Sequence, residues 1–454
     1  MDNTTAMLVD YARSVSFDSL EPDVVDACKV RLIDTVACAL GAYHTPVGRG
    51  ARELAARYSG TPAATVFGSD VTTTAEMAAF ANGTLLRFLD MSDMYRVKSG
   101  GHPSDVIAAV LAAAEAAGAD GRATIAAIAV AYEVYCGFCD AIDINSKGWD
   151  QPIYAILAGV LGAGTLLGLS REQLGHAVAL ALAPNMALIQ TRRGELSNWK
   201  GCAAANASRN AVFAAVLARD GFTGPTAIFE GKAGVWDALG RFDWPDFGAS
   251  TRRIARTHLK SFPVCYHGQS AAWAALELRD KVRPDDITAI HVDAYHNAVE
   301  EMASDPSRWA PATHETADHS LPYVVTTALL DGEINYASFA HERLVDPRKL
   351  ALMRKTTVTE DPQLSAKYPV SAPCRVTLQM KNGAAVVAHI RSPRGHADNP
   401  LAYADVERKF MSLTSSYAGA AQSREILAVL ASFDEAQTLK PLFHAMHHRA
   451  AAAA

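Results

Sequence analysis

A chain of 454 residues, half of them hydrophobic, has material for a sizeable core and length for two or three domains. Its formal net charge of −6 and its scattered lysines and arginines leave no basic tract for a phosphate backbone, so a nucleic-acid partner is not expected. Seven cysteines, odd in number and irregular in spacing, point to a reducing compartment. The N-terminus lacks a positive leader, and Asp10, Arg13 and Asp18 interrupt any apolar stretch, so the expected location is the cytoplasm.

From about Thr4 to Arg219, alanine- and leucine-rich segments recur at helical spacing, at residues 23–40, 74–88, 106–117, 122–142 and 171–182. Alanine faces let helices approach closely, which predicts a helical bundle. Cys136-Gly-Phe-Cys139 stands alone inside one such run, with no second ligand pair for zinc and no strand for a redox motif, so it reads as core. Residues 152–169 carry no charge and reach the lower length for a membrane span. Four glycines, a leading proline and the lack of basic flanks make a buried helix the better reading, and no membrane partner is expected.

After Lys260 the period changes. Residues 287–295 alternate like a strand, and 376–380, Lys381-Asn-Gly383 and 386–390 form a hairpin signal, since Asn-Gly tolerates the backbone of tight turns. Helical spacing returns at 402–412 and 423–431. The expected fold is mainly α with an α+β second domain. An all-α domain spans 1–264, a smaller α+β domain 265–400, and helices in 401–454 pack back on the first. The tail, His447-His448-Arg449 and five alanines, is expected to fray, with no metal role for its histidines.

Polar residues gather in four places. Arg87-Phe-Leu-Asp90-Met-Ser-Asp93 is followed by Gly100-Gly-His102-Pro-Ser-Asp105, which reads as a glycine-bent loop whose Ser104 or Asp105 caps the next helix. Lys200-Gly-Cys-Ala-Ala-Ala-Asn206-Ala-Ser-Arg209 opens an alanine-rich helix. Lys260-Ser-Phe-Pro263-Val-Cys-Tyr-His267 and Asp318-His319-Ser320-Leu-Pro-Tyr323 follow. Cys202 and Cys265 lie near the lysines, which would lower a thiol pKa, although small buried hydrophobes are the plainer reading.

In this order the four motifs resemble the MmgE/PrpD family of 2-methylcitrate dehydratases, cis-aconitate decarboxylases and iminodisuccinate epimerases. Arg31-Leu-Ile-Asp34, Gly221-Phe-Thr-Gly-Pro225, Lys367-Tyr-Pro369 and Arg394-Gly-His396 add to the likeness, which runs from about residue 5 to 430. The resemblance implies a helical domain with a lid-like domain, a site in the cleft between them, and a homodimer. It carries His102, Lys200, Lys260 and Tyr323 over as catalytic. Asp90, Asp93, Arg209, His267, His319 and Gln151 are the candidate substrate-binding or orienting residues. Two departures matter: the family often shows Thr-His where this chain has Met94-Tyr95, and a histidine where it has Gly148-Trp-Asp-Gln151.

The chemistry implied is removal of a proton beside a carboxylate of a small di- or tricarboxylic acid. The resulting aci-carboxylate carries two negative charges and needs cations. No metal-ligand cluster or cofactor motif is visible, so the expectation is a metal- and cofactor-independent lyase in which lysines supply that charge. His102 suits the base or acid because imidazole titrates near neutrality. Epimerisation, isomerisation and decarboxylation remain open alternatives on the same residues. A non-catalytic helical binding protein is the alternative from another class, and it has no reason to gather this polar set in one cleft.

Overall fold

The computed structural model of the chain describes residues 1–247 and 252–449; the five terminal alanines lie outside them. Helices Pro22–Gly41, Ala75–Phe88, Ile107–Ala117, Gly121–Ala141 and Arg171–Leu182 fall within one residue of the periodic segments. Pro152–Leu166, uncharged and buried through Gly164, runs through the middle of this body. Gly121–Ala141 is long and apolar enough to cross a membrane, but 89% of its most apolar window is buried against the other helices. That makes it a core helix.

Two large apolar cores result among the described residues, beside two small alanine-rich clusters. The first gathers the helical body together with Val406, Phe410, Ile426 and Leu430, because Tyr403–Thr414 and Ala420–Ala431 pack on Pro22–Gly41. The second spans Phe262 to Ala388, with helices Gln269–Arg279 and Leu321–Asp331 beside a four-stranded sheet. The sheet order is Thr356–Glu360, Ile287–Ala294, Cys374–Met380, Ala385–Ile390; the first pair is parallel and the other two antiparallel. The chain is thus mainly α with a smaller α+β part. The hairpin closes at Gly383, whose φ of 83° is the left-handed value its turn requires. The tail differs from expectation: the His448 N–H donates to Gly68 O and Arg449 pairs with Glu425.

One crossing positions the site. Helix Ala75–Phe88 meets helix Trp199–Arg219 at Gly83, where an added Cβ would lie 2.9 Å from Ala205 Cα. Because Gly83 and Ala205 touch, Arg87 at the end of one helix and Lys200 at the start of the other become neighbours. Gly83→Val is expected to overpack this contact and destabilise the fold by about 1–3 kcal/mol. Chemical denaturation checks it; stability equal to wild type would show that the helices tolerate separation.

Candidate active site

The loop after Ala75–Phe88 turns at Asp90, a non-glycine residue at φ 49°. Such backbone is strained for a side chain and persists only where surroundings hold it. Three cations do so. Arg87 Nη1 donates to Asp90 Oδ1 at 2.5 Å, and Lys260 Nζ to both Asp90 Oδ1 and its carbonyl at 2.8 Å. Lys200 Nζ reaches Asp90 Oδ2 at 3.2 Å and Asp318 Oδ2 at 3.3 Å. Burial alone would raise the Asp90 pKa, but Lys200, Lys260 and Arg87 hold it well below the usual carboxylate range. An ammonium has three donors, and each lysine gives two to these oxygens; His319 Nδ1, 3.3 Å from Lys200 Nζ, directs its own proton to Asp318 and so does not accept the third, which leaves a donor on each for another oxyanion.

His102 stands beside this cluster, its Nε2 4.0 Å from Asp90 Oδ1. Its Nδ1 lies 2.6 Å from Asp93 O, and a carbonyl can only accept, so Nδ1 carries the proton and Nε2 the lone pair. Burial, with Arg87 and Lys260 nearby, pushes the imidazole pKa well below 6.5. The ring is a neutral base.

Asp93 therefore orients His102 through its main chain, while its Oδ1 accepts the Ser104 N–H at 2.9 Å. This corrects the expected cap: Ser104 and Asp105 lie in a 3-10 turn, Pro103–Val106, with no side-chain cap, and the acceptor comes from Asp93. The glycines also differ from expectation. Gly100 and Gly101 are extended and paired with Tyr95 and Arg96, not bent. Gly101 is required by close approach, since a Cβ would collide with the Tyr135 hydroxyl and sit 2.6 Å from Gln151 Oε1.

A cavity of 470 Å³ opens onto His102, Lys200, Lys260, Asp90, His319, His267 and Gln151. His319 Nδ1 meets Asp318 and lies 3.3 Å from Lys200 Nζ; burial and that ammonium push its pKa down to about 4. His267 Nδ1 shares a hydrogen bond with the Tyr295 hydroxyl at 2.7 Å. Three expected residues are off the cavity wall: Asp93, which acts on His102 from behind, Tyr323 and Arg209. Tyr323 is fully buried in the second core and donates to Ser338 O at 2.6 Å, so its hydroxyl is committed away from the cleft. Arg209 lies along its helix from Lys200, outside the cavity wall, and donates to Asn210 Oδ1. Sequence reasoning missed the arginines that do line the cavity: Arg87, Arg96, Arg192, Arg193 and Arg308. Arg87, three residues before Asp90 at a helix end, had a readable i,i+3 signal; the others had none.

Cys265 lines the cavity, but burial pushes its thiol up to about 12, and Cys202 is also raised, so neighbouring lysines do not activate them. Cys136 and Cys139 are buried free thiols. Among the described residues, Asp90, Asp318 and His319 bring ligand atoms within 4.8 Å of one another. The Lys200 ammonium sits 3.2–3.3 Å from all three and takes the place a cation would fill.

Models of the MmgE/PrpD N-terminal and C-terminal domains match residues 6–246 and 262–435. The chain belongs to the MmgE/PrpD family. Among similar family members, 2-methylcitrate dehydratase of Cupriavidus necator is 29% identical over 81% of this chain and 79% of its own length. The 2-methylcitrate dehydratase of Salmonella typhimurium is 26% identical over the same shares. A cis-aconitate decarboxylase-like protein of Aspergillus oryzae is 24% identical over 91% of both chains.

The depressed His102 pKa has a consequence for stability. Below pH 6.5 the unfolded chain binds a proton at this residue before the folded one does, so stability is present above 6.5 and falls as pH drops through the folded value. Asp105, pushed up to about 7 by burial, has the opposite sign, so only a difference isolates the imidazole. His102→Asn is expected to flatten the wild-type loss between pH 6.5 and 5 by up to about 1.4 kcal/mol per pH unit. Urea titrations at three pH values measure this; parallel curves would show that His102 titrates normally.

Proposed function

We propose that this chain is a metal-independent hydro-lyase acting on a small di- or tricarboxylic acid of the 2-methylcitrate kind. The observation that carries this reading is a neutral, oriented imidazole beside two ammonium groups that each keep a donor free. His102 Nε2 takes the proton from the carbon next to a carboxylate. Lys200 holds that carboxylate as its second negative charge develops. Lys260, whose pKa burial depresses against the pull of Asp90, is a better acid than an ordinary lysine and gives its proton to the departing hydroxyl. The C–H and C–O bonds break, a C=C bond forms and water leaves. The names of the relatives support dehydration, and a scaffold would have no use for such a cluster.

Proton exchange and product formation in deuterated water, across a panel of di- and tricarboxylates, test the reading. An unsaturated product and EDTA-insensitive turnover are expected. His102→Asn should lose α-hydrogen exchange by roughly 100- to 10,000-fold, and Lys200→Ala and Lys260→Ala should each lose about 100-fold or more in kcat/KM. Exchange with inversion and no alkene would make the protein an epimerase; release of CO₂ would make it a decarboxylase. Turnover that dies with chelation and returns with a divalent ion would end the lysine mechanism.

The reading includes a cytoplasmic homodimer. Trp199 and Phe213, two helical heptads apart on one stripe of Trp199–Arg219, are 46% and 45% exposed, and Leu188 is 61% exposed beside Trp199. Sedimentation equilibrium should give twice the 48.4 kDa chain mass; a monomer at micromolar concentration would refute it.

A further inference from the structure

Five residues on the cavity wall have a buried donor that lacks an acceptor: Arg87 and Arg96 at Nε, beside the cluster around Asp90 and the loop after it, and Gln151 at Nε2, Arg192 at Nη2 and Arg308 at Nη1. Gln151 and Arg308 are themselves only 4% and 3% exposed. A buried donor left unpaired costs about 1–3 kcal/mol, and folded proteins keep few of them. Here Gln151, Arg192 and Arg308, which bear three of them, line one cavity.

Their placement is built rather than incidental. Asp150 Oδ1 accepts from Arg192 Nε at 2.7 Å and from the Gln151 main-chain N–H at 2.8 Å, which ties these two residues into one corner. Gln151 Oε1 lies against Gly101, so the side chain sits beside the residue that precedes His102 in the chain. Arg308 comes from the other side of the cleft, in the turn Pro306–Trp309, with Nε 3.4 Å from Glu301 O. Each half of the cleft supplies a guanidinium. The two guanidiniums are donors only and planar forks, and the glutamine amide adds a third N–H donor, which together complement a carboxylate.

We propose that Gln151, Arg192 and Arg308 form a second carboxylate subsite, separate from the Lys200–Lys260 pair, which holds the distal carboxylate of the substrate and sets which carbon faces His102. This rests on the cavity being the substrate site of the proposed lyase, and it restricts the substrate class to acids with at least two carboxylates. It also gives the glutamine a binding task.

Calorimetric binding of butyrate, glutarate and tricarballylate, none of which has a leaving group, tests the subsite without turnover. Wild type should bind tricarballylate and glutarate at least 10-fold more tightly than butyrate. Arg308→Met and Gln151→Leu should weaken tricarballylate, by about 10- to 100-fold for the arginine, since hydrogen bonds to charged groups contribute about 1.5–3 kcal/mol. Butyrate affinity should move less than twofold. Arg308→Lys, which keeps the charge and loses the fork, should fall between, and it serves if the methionine variant does not fold. Tricarballylate affinity within twofold of wild type in both Arg308→Lys and Gln151→Leu overturns the subsite. Lack of alkene formation in the deuterium assay, with these binding differences intact, overturns the lyase reading alone.

Discussion

One buried carboxylate holds the site together. Without Asp90, Arg87, Lys200 and Lys260 would be three cations in one desolvated space; without them, Asp90 could not stay ionised. Such pairs add little stability over well-packed apolar side chains, because desolvation offsets most of the attraction. What this one adds is position. It draws a helix end, a helix start and the segment entering the second core to a single point, and it holds Asp90 in backbone an aspartate seldom adopts. A second buried pair supports the same loop from behind: Lys409 reaches Asp34 Oδ1 at 2.6 Å and Met91 O at 2.7 Å. The C-terminal helices therefore brace the Asp90 loop as well as cover Pro22–Gly41.

The join between the two cores runs beside Lys260. Met94 and His258 bond main chain to main chain, the Leu259 N–H donates to Gly395 O, and the rings of His258 and His396 stack 4.3 Å apart. Met94 belongs by sequence to the helical half, yet its side chain packs in the second core. Tyr95 beside it turns its hydroxyl to Asp140. An apolar side chain at the join adds adhesion between the halves. Any change in their angle would move Lys260 against Asp90 and Arg308 against Arg192 together.

Helical periodicity made the first half legible, because alanine faces leave few other ways to bury so much apolar surface. Alternation and the Asn-Gly turn made three strands of the larger sheet legible, whereas the short antiparallel pairs Ala63–Thr65 with Thr72–Thr74 and Tyr95–Arg96 with Gly100–Gly101 were not. Thr356–Glu360 was not: Thr-Thr-Val-Thr-Glu is an edge strand, buried only at its first residue, and it writes no alternation. His102, Lys200, Lys260 and His319, picked out through the family resemblance of their motifs, are brought together on one cavity wall. Tyr323 misled because Asp318 and His319 reach the site just before helix Leu321–Asp331, whereas Tyr323 is inside that helix and faces Ser338. Arg192 depends on Asp150, 42 positions earlier, and no local pattern records a partner so distant.

The same contacts bear on which reaction the cluster favours. Two neutral imidazoles face the cavity, His102 from the helical half and His319 from the second core, both with Nδ1 against an acceptor. Inverting a carbon without breaking a C–O bond would need one of them as the base and the other already protonated on Nε2 to return a proton from the opposite face, and both are neutral. Loss of CO₂ asks for something else, a carboxylate in surroundings that do not stabilise its charge, and these walls do the reverse. Between inversion and elimination, the deciding group is whichever lies opposite the leaving position. Lys260 is buried, has its pKa depressed and is held from two sides by Asp90, so it can protonate a hydroxyl with little rearrangement. His319, with Asp318 and Lys200 both against its Nδ1, is the more constrained partner. A rigid ammonium poised as an acid favours breaking the C–O bond.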